Sequence, residues 1–235
     1  MLEEGLYIVA TPIGNLDDIT LRAIQILNQV DLILCENSKN SQKLIQHHQI
    51  KTPFKTLFTN TDSAYDWILK DLEQGKKIAY ISDAGTPGVS DPGAGLVRAV
   101  RKARIKIIPI PGPSALTTIL SICGYQTNPT YFLGFLSEKP NKKRNELEEF
   151  KDKDCVIVFY ESVYKIKTTI EIIRELFPDS ETIIGRELTK LHEEIKVYKT
   201  KDINTNDLVL KGEFVVLINN YRKKIAKEKT FSTDT

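Results

Sequence analysis

The chain is poor in several residue types, and each shortage removes a class of protein. Its 235 residues include 3 cysteines, 3 histidines, 1 methionine and 1 tryptophan. Cys35, Cys123 and Cys155 are odd in number, widely spaced and set among apolar neighbours. That usage excludes a disulfide framework and points to small buried thiols in a reducing cytoplasm. His47, His48 and His192 do not combine with these thiols at a metal-ligand spacing, so no metal is expected. No apolar run approaches the length of a membrane-spanning helix. The opening "MLEEGLYIVATPIG" enters a strand-like segment without the basic, apolar and small-residue regions of a secretion signal. A soluble cytoplasmic protein without membrane contact is the expectation. Neither sign of charge dominates, the formal net charge being +2. Cations are nevertheless bunched in "EKPNKKR" (138–144) and "YRKKIAKEK" (221–229), which leaves room for local basic patches.

What is present is an ordinary globular composition, 41% apolar and 27% charged, in a chain long enough for one large domain or two small ones. β-rich runs alternate with helical patterns through the first half. "LYIVATP" precedes a helix carrying Leu21, Ile24 and Leu27, followed by "VDLILCE", "KKIAYISD" and "KIIPIPG". Such alternation predicts a parallel sheet covered by helices. "TDSAYDWILKDLEQG" predicts a further helix, with Ser63 as N-cap, Ile68 and Leu72 on one face, and a left-handed C-cap at Gly75. The pattern restarts with "TYFLGFL", a charged helix ending near Phe150, "CVIVFYES", and an amphipathic helix bearing Ile166, Ile170 and Ile173. "ETIIGREL", "EEIKVYKT" and "EFVVLIN" then follow through short connections, which favours a mixed sheet with antiparallel pairs. The expected organisation is an N-terminal α/β domain over 1–113 and a C-terminal α/β domain over 114–235. "KEKTFSTDT" at the end has no apolar pattern and reads as a frayed terminus.

Chemistry concentrates in the turns. "SDAGTPGVSDPGAGLV" (82–97) follows the strand "IAYI", at the carboxyl end where open α/β sheets bind ligands. Its glycines and prolines suit a loop that offers main-chain N–H and C=O groups to a nucleoside-like ligand. "ATPIGN" (10–15) and "PIPGPSALTT" (109–118) end two other strands with the same chemistry, so three strand ends can converge. "GAGLVR" (93–98) resembles the start of a dinucleotide fingerprint but lacks its third glycine, and no phosphate-binding P-loop occurs.

These loops resemble the tetrapyrrole methylase family of S-adenosylmethionine-dependent methyltransferases. "VATPIGNLDDIT", "SDAGTPGVSDPG", "PGPSALTTILSICG", "FLGFLSEKPNKKR", "VFYES", "RELTKLHEE" and "KGEFVVLI" are similar, in order, to the branch of that family that acts on small-subunit ribosomal RNA. The resemblance implies a two-domain α/β fold with the cofactor cleft between the domains. It also implies a homodimer, S-adenosylmethionine as methyl donor, and methylation of the ribose 2′-hydroxyl of a cytidine at the decoding centre of 16S rRNA in the 30S subunit. Carried over position by position, it puts Pro12, Asp83, Ala84, Gly85, Val89, Ser90, Ser114, Ala115, Tyr160, Glu161, Leu188, Glu213, Phe214 and Val215 around the cofactor. One departure stands out: "CENSK" (35–39) replaces the branch's usual "CEDTR", so Asn37 cannot act as a base and Lys39 lacks the planar fork of arginine.

A ribose hydroxyl is a weak nucleophile near neutral pH, and a side chain that takes its proton can contribute roughly 10²–10⁴-fold. Glu36, Asp91, Glu161 and Glu187 are the acids at or beside predicted strand ends, and Lys190 and His192 are further candidates to orient a carboxylate or bind phosphate. Glu36, Asp91, Glu161 and Lys190 form the catalytic short list. Lys139, Lys142, Lys143 and Arg144 are expected to meet RNA phosphates, with Tyr131 and Phe135 available to stack on an unpaired base. Two other readings stay open: a methylase of a small tetrapyrrole, and a non-catalytic nucleoside- or RNA-binding module.

Overall fold

A computed structural model describes residues 2–57, 65–91 and 93–221. Ser63, most of the basic run 221–229 and the terminal "KEKTFSTDT" lie outside the described residues. The chain divides into two compact units. One runs up to Ile122 and also includes Gly185–Ile195; the other comprises Cys123–Ile184 and the chain from Lys196.

The first unit contains β1 (Gly5–Val9), α1 (Leu21–Leu27), β2 (Leu32–Cys35), α2 (Ser38–His47), β3 (Phe54–Thr56), α3 (Asp66–Glu73), β4 (Lys77–Ile81), α4 (Gly93–Lys102), β5 (Ile107–Ile110) and α5 (Ala115–Ser121). Its strands form one parallel sheet in the order β3-β2-β4-β1-β5, as the alternating pattern predicts. Successive side chains of a strand point to opposite faces, and both faces here are apolar. Tyr7, Val9, Ile33, Ala79 and Ile81 pack with Ala23, Leu27, Leu44 and Ile45 on one side. Leu6, Leu34, Ile78 and Tyr80 pack with Ile68, Leu72, Leu96 and Val100 on the other.

Helix ends follow from local chemistry. Thr20 caps α1 by accepting from the Ala23 amide at 3.1 Å. The buried stripe of α1 is Ala23, Ile26 and Leu27, whereas Leu21 at the first helical position is 79% exposed. The chain after α3 turns through Gly75 at φ +84°, the left-handed cap expected there. Topology then opens a crevice. β1 leads through α1 to β2 on the far side of β4, while β4 leads through α4 to β5 on the far side of β1. The two connections leave in opposite directions, so the carboxyl ends of β1 and β4 are left uncovered by either crossover.

The second unit contains β6 (Thr130–Phe135), α6 (Pro140–Glu148), β7 (Val156–Ser162), α7 (Ile166–Leu176), β8 (Glu181–Arg186), β9 (Glu194–Lys199) and β10 (Glu213–Asn219), with the end of β8 and the start of β9 belonging to the first unit. The sheet order is β6-β7-β10-β8-β9, with β6 parallel and β10 antiparallel to β7. A mixed sheet is what the closely spaced later strands predict. Ile157, Phe159, Phe214 and Val216 pack against Leu147, Ile166, Ile170 and Ile173. The Asn220 amide donates to the carbonyls of Phe150, Lys151 and Lys153 at 2.9, 3.2 and 2.9 Å, fastening the turn after α6 to the end of β10. Among the described residues no helix is long and apolar enough to cross a membrane.

Candidate cofactor and substrate site

In the first unit the three Gly/Pro-rich loops meet through their main chains. The Thr11 amide donates to the Gly85 carbonyl at 2.9 Å and the Gly85 amide returns a bond to the Thr11 carbonyl at 3.0 Å. Thr11 Oγ1 donates to the Ser82 carbonyl at 3.1 Å, and Thr86 Oγ1 to the Pro113 carbonyl at 3.1 Å. Ala10 is tied to Ile110 by an amide-to-carbonyl bond of 3.1 Å. Gly85 has φ +77°, and a Cβ there would stand 3.3 Å from Ile13 Cγ2, so turn geometry and close approach both call for glycine.

The returning segment 185–195 closes on the same cluster. A Cβ at Gly14 would fall 2.4 Å from Lys190 Cγ and 2.6 Å from the Leu188 carbonyl, and the Asn15 amide donates to Thr189 Oγ1 at 3.1 Å. Glu187 and Thr189 hold φ values of +51° and +63°, and Ser90 one of +63°. Non-glycine residues in this region store strain, and such strain gathers at ligand sites. Lys190 Nζ donates to Glu187 Oε1 at 2.8 Å. Pro12, Gly85 and Leu188 are buried, Ser114 and Ala115 half-buried, and Asp83, Ala84, Val89 and Ser90 exposed. His192 is exposed on the turn between β8 and β9.

An acidic group lies at the ends of β2 and β4. Tyr80, fully buried, donates its hydroxyl to Glu36 Oε1 at 3.4 Å. Burial pushes the Glu36 carboxyl above the usual carboxylate range, and the negative charges of Asp91 and Asp83 push the same way. The Tyr80 phenol is raised too, chiefly by burial and then by Glu36 and Asp91. Asp91 has a structural commitment: its carboxylate accepts from the Gly88 amide at 2.8 Å on both oxygens and from the Gly93 amide at 2.8 Å. Asp83 accepts from Asn40 Nδ2 at 2.8 Å. The altered "CENSK" segment runs from the last residue of β2 into the first turn of α2, where Asn37 is the N-cap and its Oδ1 accepts from the Lys39 amide at 3.0 Å. An aspartate would cap in the same way, so this exchange preserves the local fold.

In the second unit Glu161 is only 3% exposed. Its Oε2 accepts from Lys143 Nζ at 2.5 Å and from Thr169 Oγ1 at 2.6 Å, while Oε1 accepts from the Ser162 amide at 2.8 Å. The sequence groups Lys143 with the RNA-facing cations; the structure instead encloses its ammonium, the side chain being 2% exposed, so its charge serves the interior rather than a phosphate. The reason is register. Lys143 and Leu147 are the buried residues of α6, one turn apart, which turns Lys139 and Lys142 outward. Arg144 is half-exposed and paired with Glu175. Phe135 is 62% exposed and packs edge-on against Tyr160 at 5.5 Å, while Tyr131, 38% exposed, leans on Phe150 at 4.9 Å. At the start of β10, Glu213 is exposed and Phe214 and Val215 are buried.

Sequence reasoning did not single out Tyr80, Asn40, Thr86 or Thr169. The first lies within an apolar run and the last within a helical stripe, so only tertiary contact marks them. Nor does spacing along the chain show that Asp17 comes to lie beside His47 and His48.

Comparison with known proteins shows the family and the fold. Residues 5–204 match the family described as Tetrapyrrole (Corrin/Porphyrin) Methylases. The chain therefore belongs to the tetrapyrrole methylase family, a family of S-adenosylmethionine-dependent methyltransferases. Among its relatives, the ribosomal RNA small subunit methyltransferase I of Leptospira biflexa is 52% identical over 99% of this chain and 98% of its own length. The protein of the same name from Coprothermobacter proteolyticus is 41% identical over 91% of this chain and 96% of its own. The fold matches the methyltransferase CobJ with a TM-score of 0.69 at 18% identity, over 92% of this chain and 94% of that one. It matches uroporphyrin-III C-methyl transferase from Thermus thermophilus, solved in complex with S-adenyl homocysteine, with a TM-score of 0.67 at 12% identity, covering 92% and 97%.

Proposed function

We propose that this protein transfers the methyl group of S-adenosylmethionine to the ribose 2′-hydroxyl of a cytidine in 16S rRNA, at the decoding centre of the 30S subunit. It works in the cytoplasm as a homodimer and without a metal in the reaction. The observation that carries the reading is whole-length similarity to a relative named for small-subunit rRNA methylation, in a chain whose strand-end loops converge at an open topological switch point. Fit to the cofactor is supported by the loops themselves: Gly85 keeps the main chain bare of a side chain, while Asp83 and Ala84 remain exposed. In this reading Pro12, Asp83, Ala84, Gly85, Val89, Ser90, Ser114, Ala115 and Leu188 hold the cofactor from the first unit. Tyr160, Glu161, Glu213, Phe214 and Val215 are the remaining positions of this cofactor reading.

When bound, S-adenosylmethionine supplies a methyl group on a cationic sulfur, so the transfer is an in-line displacement in which positioning carries much of the rate. The loops orient the ribose 2′-oxygen and exclude water. Glu36 takes the proton released by that oxygen. Of the catalytic short list it suits the task best, since its raised affinity for protons strengthens it as a base. Asp91 is occupied with the loop amides, Glu161 with Lys143, and Lys190 with Glu187. Lys139 and Lys142 meet RNA phosphates, and Phe135 offers a ring for an unpaired base.

The test is incubation of the purified protein with methyl-labelled S-adenosylmethionine and, separately, 30S subunits or uroporphyrinogen-type tetrapyrroles, followed by nuclease digestion of the RNA. Label in a 2′-O-methylcytidine is the expected outcome. Label in the tetrapyrrole, on a base, or in neither substrate overturns the proposal.

A further inference from the structure

The turn at Leu16–Asp18 and the last turn of α2 bring together side chains that the proposed methyl transfer does not use. Asn15 caps that short 3-10 turn, its Oδ1 accepting from the Asp17 amide at 3.1 Å, which holds Asp17 in place. His47 Nε2 lies 3.0 Å from Asp17 Oδ1, and His48 Nε2 lies 2.9 Å from the Leu16 carbonyl. The two imidazoles make an edge-to-face contact with centroids 4.6 Å apart. One donor atom from each of Asp17, His47 and His48 lies within 4.8 Å of the other two.

We infer that Asp17, His47 and His48 form a binding site for a borderline divalent transition-metal ion of the Zn²⁺ or Co²⁺ class. Two imidazole nitrogens and one carboxylate oxygen suit such ions, whereas Mg²⁺ and Ca²⁺ prefer oxygen donors throughout. Ligand atoms around a tetrahedral ion with bonds of about 2.0–2.2 Å stand roughly 3.3 Å apart. His47 and Asp17 are already near that separation, and their side chains, 45% and 78% exposed, are free to complete the closure. A second observation concerns the support of the ring. A carbonyl oxygen only accepts, so His48 donates its Nε2–H to Leu16 and keeps the lone pair on Nδ1. Metal-bound histidines usually donate their other ring nitrogen to a carbonyl or carboxylate in this way, which fixes tautomer and orientation. Three protein ligands leave a fourth position for water. The ion would clamp the turn that follows β1 to the end of α2, independently of methyl transfer.

The experiment uses full-length protein without a polyhistidine tag, stripped with chelator and titrated with Co²⁺ while the visible absorption is followed. One equivalent of Co²⁺ giving ligand-field bands, displaced by Zn²⁺, is expected. His47→Gln keeps a hydrogen-bond donor toward Asp17 and should abolish the bands, while His48→Ala and Asp17→Asn each weaken uptake at least tenfold. Circular dichroism of each variant shows whether it is folded, and Zn²⁺ should raise the melting midpoint of the parent but not of folded His47→Gln. Absence of saturable uptake by the parent, or uptake unchanged in either histidine variant, overturns the inference. Loss of uptake in His192→Ala overturns it as well, because the site would then lie elsewhere.

Discussion

The loop cluster at the ends of β1, β4 and β5 and the charged knot at the end of β7 solve opposite problems. The first is joined by main-chain bonds between Thr11 and Gly85 and between Ala10 and Ile110, with the Thr11 and Thr86 hydroxyls donating to the Ser82 and Pro113 carbonyls, while its side chains Asp83, Val89 and Ser90 stay exposed. The second is joined by the side chains of Lys143, Glu161 and Thr169, with the two charges almost entirely out of water. A site held by main chain and neutral hydroxyls leaves its charged side chains available on its surface. A site built from charges spends them on one another, and its contribution is to hold α6 and α7 on the sheet.

Four variants test that contrast, beginning with the largest effect. Lys143→Ala strands the buried Glu161 carboxylate, and urea unfolding should show a loss of about 3–5 kcal/mol. The double variant Lys143→Met with Glu161→Gln, which removes both charges, should recover most of it; a single variant as stable as the parent would mean that the pair is solvated. Gly85→Ala forces a side chain into a left-handed conformation, costing about 1–2 kcal/mol in the same assay. Its Cβ also presses on Ile13, and calorimetric affinity for S-adenosylmethionine should fall about tenfold, or about 1.4 kcal/mol. Replacing both Lys139 and Lys142 by alanine should leave stability within about 0.5 kcal/mol. The dependence of log affinity for 30S subunits on log salt should then flatten by about 1.4–1.8. Lys143→Met paired with Glu161→Gln should not change that slope, since the Lys143 ammonium never faces a phosphate.

The two halves also differ in how plainly they were written in the chain. Strands inside a parallel sheet leave continuous apolar runs, so β1, β2 and β4 are legible from "LYIV", "LILC" and "IAYI", and the edge strand β5 is legible from "IIPI" although only Ile110 of it is buried. α2 and β3 are not. The former buries only Ser41, Leu44 and Ile45 of its ten residues, and the latter is a three-residue edge strand. Such elements are held by neighbours rather than by their own pattern. In the candidate site, the loops that converge were marked by Gly and Pro. The roles of individual acids were not, because Glu36, Asp91 and Glu161 differ only in what surrounds them. The basic run 139–144 teaches the same lesson: composition groups its cations, and the phase of α6 separates them.

Local order therefore determined the alternation of strands and helices, the glycine turns at the strand ends and the family to which the chain belongs, since each depends on residues adjacent in the chain. Tertiary structure alone decided that segment 185–195 returns to the first unit, that Lys143 turns inward, that Tyr80 donates to Glu36 and that Asp17 meets the paired histidines. Those outcomes depend on burial and on approach between residues far apart in sequence, which no periodicity records.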